Sequence, residues 1–75
     1  MPNAGRLILK SIGTLEFVDL ESNDNAFAFV RASEGVVALG LSLEKDGDID
    51  LLLPLETCRS LIDLLNSALQ TASGS

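Results

Sequence analysis

Apolar residues recur at every second position over the first two thirds of the chain, and at every third or fourth position over the last third. The first pattern is that of strands, whose successive side chains point to opposite faces, and the second is that of a helix. From Arg6 to Leu20, Leu7, Leu9, Leu15 and Phe17 occupy odd positions, whereas Ile8, Lys10, Ile12, Thr14, Glu16 and Val18 occupy even ones. The parity survives passage through Gly13, which predicts one long strand bent at a glycine. A hairpin turn at Ile12-Gly13 is disfavoured, because Ile resists the positive φ that the first position of such a turn demands.

Glu21-Ser22-Asn23-Asp24-Asn25 is a run of turn formers that predicts a chain reversal. Beyond it, AFAFVRA sets Phe27, Phe29 and Arg31 against Ala26, Ala28, Val30 and Ala32, a second strand. Ser33-Glu34-Gly35 fits a three-residue hairpin loop with glycine in the left-handed position. The third strand alternates Val37, Leu39, Leu41 and Leu43 with Val36, Ala38, Gly40 and Ser42. Asp46-Gly47 then predicts a tight turn, since both residues tolerate positive φ. Ile49, Leu51 and Leu53 alternate with Asp48, Asp50 and Leu52 in the fourth strand.

The helical period begins after Pro54, which suits a first helical turn, where its missing N–H is not wanted, and Glu56 complements the positive end of the helix dipole. Leu55, Cys58, Leu61, Ile62, Leu65 and Leu69 make an apolar stripe, with Arg59, Ser60, Asp63, Asn66 and Gln70 outside it. Fraying is expected from Thr71. The fold expected is therefore α+β: a four-stranded antiparallel meander (β-β-β-β-α) with one C-terminal helix packed on one face. It forms a single domain over residues 1–75, with loose ends at 1–5 and 73–75.

The alternation also predicts two sheet faces. One, of large residues, would lie beneath the helix. The other, of small residues (Ala26, Ala28, Ala32, Ala38, Gly40 and Ser42), is an interface on one reading and an ordinary exposed surface on the other. If the second strand turns back on roughly Gly13 to Leu20, Arg6 to Ile12 lacks a local partner. A strand edge with open backbone groups must be covered or used. Leu7, Ile8, Leu9 and Ile12 are accordingly the candidate interface residues, expected to pair with a second copy of the chain.

Composition strengthens that expectation. The 75 residues are 47% hydrophobic but include only three Phe and neither Trp nor Tyr, so the core is aliphatic and small. A chain of this length buries only about 60% of its unfolded surface. Chains this small usually add disulfides, metals or partner subunits. With one Cys and no His, an internal disulfide is excluded and zinc is disfavoured. A homodimer remains, with another protein as the alternative partner.

Charge and chemistry narrow the function classes. Eleven acids against five bases give a net charge of −6, which opposes nucleic-acid binding. The apolar run in MPNAGRLILKSIG is too short and interrupted for a signal peptide, and no segment approaches a membrane span, so a cytoplasmic location is expected. Cys58 sits near a helix start beside Arg59, yet it falls on the apolar stripe and has no histidine to act as its base, so a core position is expected. The acids Glu44, Asp46, Asp48 and Asp50 do not match a calcium loop, because counting from Glu44 places Ile49 at the sixth position, where glycine is required. No histidine means no Ser-His-Asp arrangement, and no glycine run opens a helix to cradle phosphate. No catalytic residue, cofactor or metal site is expected. The reading is a non-enzymatic, self-associating interaction module, with a binder of an apolar ligand, held between helix and sheet or in a dimer groove, as the alternative.

Overall fold

The computed structural model describes residues 8–74. Four strands, β1 (Lys10–Val18), β2 (Asn25–Ser33), β3 (Val36–Leu43) and β4 (Gly47–Pro54), precede one helix, α1 (Leu55–Ala72). The strands form one antiparallel sheet in the order β1-β2-β3-β4, a meander, and α1 contacts β3 and β4. The expected architecture is thus present, and the departures lie in its joints and its cover.

The strand β1 starts at Lys10, later than Arg6. Lys10 pairs with Ala32 and Ser11 with Arg31, and the register shifts between Ser11 and Gly13 before Gly13 pairs with Val30. The extra residue in this bulge is Ile12, so the parity does not run unbroken past Gly13. Because β2 is nine residues long, its pairing reaches back to Lys10. The segment expected to lack a local partner is therefore shorter than Arg6 to Ile12. Ile8 and Leu9 lie outside any strand.

The β2–β3 connection is the two residues Glu34 and Gly35, with Ser33 paired to Val36, one residue shorter than expected; Gly35 takes φ 83°. At the next hairpin Leu43 pairs with Gly47 (φ 93°), so the loop is Glu44 to Asp46 and is longer than a two-residue Asp-Gly turn. The peptide N–H of Asp46 donates to the Leu43 carbonyl at 3.2 Å. A turn followed by glycine in the left-handed region is the usual form of this longer hairpin.

Asp24 ties the two loops at this end of the sheet together. It is the one buried charged residue among those described, at 7% exposure. Its carboxylate accepts from the backbone N–H of Lys45 (2.9 Å) and of Asn25 (3.0 Å), so burial leaves it hydrogen-bonded. Asn23, at φ 63°, donates its N–H to the Asp19 carbonyl at 2.8 Å, and Asp19 donates to the Asp24 carbonyl at 3.0 Å.

Pro54 closes β4 and also caps α1 from an extended conformation (φ −62°, ψ 155°), one residue before the helical turn where it was expected. The helix runs past Thr71 to Ala72, and Ser73 satisfies the Leu69 carbonyl through both its N–H (3.0 Å) and its hydroxyl (2.8 Å).

A candidate interaction surface

Cross-strand partners share a face, so the register sorts the sheet's side chains directly. On one face, β3 and β4 contribute Val37, Leu39, Leu41 and Leu43 opposite Leu53, Leu51, Ile49 and Gly47. The strand β2 contributes Ala32, Val30, Ala28 and Ala26 to the same rows. Leu15 and Phe17 on β1 complete it, and Lys10 at one corner is its only charged member. The other face holds Phe27, Phe29 and Arg31 of β2, Ala38, Gly40 and Ser42 of β3, and Asp48 and Asp50 of β4.

This sorting corrects the expectation of one large and one small face. The alanines of β2 stand among the leucines, whereas the two phenylalanines stand with Ala38, Gly40 and Ser42. The parity holds within β2, β3 and β4 and breaks at the Ile12 bulge of β1, and the remaining error lies in matching parities between strands, which the hairpin loop lengths decide.

The polar face is bridged by its own side chains at its centre, although Val18 and Leu52 on the same face are exposed. Arg31 Nη2 reaches across β3 to Asp50, 3.3 Å from both carboxylate oxygens, and passes above the small residues Ala38 and Gly40. Ala38 is 1% exposed as a result. The Phe27 and Phe29 rings stack at 6.3 Å with planes 9° apart, and the Ser42 hydroxyl donates to Asp48 at 3.0 Å.

The apolar face has no such cover. Leu15, Phe17, Leu41, Ile49 and Leu51 are all exposed, and the buried apolar residues among those described are only Ala26 and Ala38. The alanine-rich row of β2 lies between taller side chains on β1 and β3, which makes a trough with two open depressions. One, of about 450 Å³, lies at the Gly47 end of the sheet, lined by Phe17, Ala26, Leu41 and Ile49, by the acids Asp19, Glu21 and Asp48, and also by Phe27 and Ser42 of the other face. The other, of about 290 Å³, sits over the bulge between Ile12, Leu15, Ala28 and Val30.

The helix, expected as the cover, leaves this face open. Only Cys58 and Leu61 on α1 are half-buried, and the remaining helix residues are exposed, including Ile62, Leu65 and Leu69 on the same stripe. The reason is the junction: α1 begins at the residue after Pro54, so no intervening residues can turn it back over the sheet.

Of the candidate interface residues, Leu7 lies outside the described residues. Ile8 is 81% exposed, Leu9 is half-buried, and Ile12 is 66% exposed at the bulge, where it borders the smaller depression. Only Ile12 is thus brought to the apolar trough. The uncovered leucines of β3 and β4 were missed as surface residues. Their alternation identified an apolar face, and nothing local in the sequence indicates whether the same chain covers it.

The site has little chemistry. Asp19, at the rim of the larger depression, has its carboxyl held below the ordinary aspartate range. The Ser22 hydroxyl contributes most, donating at 2.7 Å, followed by the Ser22 N–H at 2.9 Å. Among the described residues no cluster of His, Cys, Asp or Glu could hold a metal ion, and no helix is long and apolar enough to cross a membrane. Comparison with known families, with curated proteins and with solved structures finds no match for this chain.

Proposed function

We propose that the protein is a non-enzymatic assembly module that works by self-association, as a homodimer formed through its apolar sheet face and helix stripe. The observation that carries this reading is the uncovered area. The chain exposes 6049 Å², whereas a compact monomer of its mass would expose about 4,400 Å². The excess, about 1,600 Å² per chain, corresponds to roughly 3,200 Å² for a pair, within the range of obligate homodimers. The radius of gyration points the same way, 14.9 Å against about 11 Å for a compact domain of this length. Large apolar patches on a small acidic chain otherwise lead to aggregation.

Molar mass by sedimentation or light scattering over a wide concentration range tests the proposal. A stable dimer at low micromolar concentration supports it, and a monodisperse monomer there rejects it.

A second reading is favoured by one observation. The larger depression, about 450 Å³ and lined by apolar side chains and acids, falls in the size range of small-molecule sites. On that reading the protein carries an apolar ligand. Organic extraction of the purified protein followed by mass spectrometry separates the two: a stoichiometric lipid or metabolite favours the carrier, and clean protein favours the assembly module.

A further inference from the structure

The free part of the helix fits within the length of the trough. Beyond Leu61, α1 continues to Ala72, about 16 Å at 1.5 Å per residue. β2 has nine residues, about 30 Å at its usual rise. They match in relief as well. Ala26 and Ala28 lie low between Phe17 and Leu15 of β1 and Leu43 and Leu41 of β3, which makes a groove there, and a helix with apolar residues at Ile62, Leu65 and Leu69 presents a ridge to fill it. Neither carries charge at its centre.

Within one chain the two do not meet. α1 touches β3 and β4 and reaches neither β2 nor β1. Its half-buried residues, Cys58 and Leu61, lie at its start, and the same stripe continues past the contact into exposed positions. One stripe of one helix is therefore used at its first turns and free beyond them, while the groove it fits stands open on the same molecule.

We infer that α1 of each protomer seats in the β2 trough of the other, a reciprocal exchange in which Ile62, Leu65 and Leu69 of one chain lie over Ala26, Ala28 and Val30 of its partner. The inference rests on the homodimer reading and specifies its geometry. A two-fold axis makes the exchange self-complementary, since one act of association covers both helices and both troughs. It also accounts for the size of the uncovered area, because two separate apolar surfaces on each chain are covered together.

The test is cross-linking between two chains that each carry one cysteine. In a Cys58→Ser background, one chain carries Ala28→Cys at the middle of the trough and the other Leu65→Cys near the middle of the helix stripe. They are mixed, allowed to exchange, and oxidised with a copper–phenanthroline catalyst, and the products are resolved by mass. The central positions make the result insensitive to small shifts of the helix along the groove. The expected product is the mixed disulfide, formed in large excess over either symmetric one. Dimers that yield only symmetric disulfides, or none, overturn the helix seating while leaving self-association standing. A monomer by sedimentation overturns both.

Ala28→Trp gives a second measurement that needs no oxidation. Filling the trough is expected to raise the dimer dissociation constant by roughly 100-fold, because overpacking acts at both symmetric sites. Val18→Trp, on the polar face opposite Asn25 and outside both depressions, is expected to leave it unchanged. Equal dimerisation of Ala28→Trp and the parent chain, with circular dichroism showing both folded, rejects the seating.

Discussion

Phe29 and Gly40 stand directly opposite each other on β2 and β3, and the phenyl ring lies close against the space where a Cβ on Gly40 would project. Such a Cβ would come 3.1 Å from Phe29 Cδ2 and 2.7 Å from Asp50 Oδ1. Gly40 is thus the position that lets the ring lie against the sheet and lets the Asp50 carboxylate remain in reach of Arg31. Gly40→Ala is expected to displace Asp50, break the ion pair and push the ring outward. The ion pair is a surface one and contributes little by itself. The exposed Asp50 carboxylate can swing aside and the ring need give only slightly, so the cost is at most about 1 kcal/mol, a fall of no more than roughly 4–8 °C in melting temperature for a domain this size. Thermal unfolding followed by circular dichroism at fixed protein concentration checks this, and an unchanged midpoint would show that the ring and carboxylate relax without cost.

Asp24 predicts a larger effect. Asp24→Ala removes the acceptor for the Lys45 and Asn25 peptide N–H groups where two loops meet. Losing a buried acceptor of this kind costs about 1–3 kcal/mol. Urea unfolding should show the midpoint displaced with little change in slope, since the surface exposed on unfolding is nearly the same. Hydrogen exchange at Lys45 should accelerate in the same variant.

The pH dependence follows from Asp19. Its folded-state pKa lies below the ordinary value because Ser22 donates to the ionised form. The unfolded chain therefore binds a proton first as pH falls, and the stability contributed by the Asp19–Ser22 contacts is complete above the ordinary aspartate range and is lost as pH drops through the folded-state value. Ser22→Ala should move the Asp19 titration back toward the ordinary range, as followed by carboxyl carbon chemical shifts. An Asp19 midpoint that ignores Ser22→Ala would assign the lowering to another cause.

Leu41→Lys and Leu52→Lys form a matched pair on opposite faces of the sheet. Both residues are exposed, so neither change buries a charge in the isolated chain. Leu41→Lys is expected to yield a monomer by light scattering, because the proposed interface would desolvate the new charge. Leu52→Lys should remain a dimer. Leu9→Lys examines the N-terminal segment separately: a dimer there shows that Leu9 is dispensable, and a monomer restores this segment as the contact.

The strands and helix were legible because each carries its own period, and turn chemistry at Asn23–Asn25, Gly35 and Gly47 marked the reversals. Glycine's freedom located two turns correctly, while loop lengths were misjudged by a residue. Such an error flips which parity of one strand meets which parity of the next, and so Phe27 and Phe29 were placed among the leucines. The Ile12 bulge had no signature beyond the adjacent glycine, since a bulge is selected by cross-strand register and the sequence shows only one strand at a time. The uncovered trough was invisible for a different reason: amphipathic patterning places Leu41 and Leu65 on apolar faces, and is silent on whether the same chain covers them.

The junction at Pro54 gives the proposed assembly an adjustable stoichiometry. With no residue between strand and helix, Pro54 in its extended conformation sets the angle at which the helix leaves the sheet. A few glycine and serine residues placed between Pro54 and Leu55 would free α1 to swing back, and the stripe that otherwise seeks a second molecule could reach its own β2. The same side chains would then make the same contacts intramolecularly, with an effective concentration on the order of millimolar for a short flexible connection. Monomer and dimer would differ by the length of one hinge, without any change of surface.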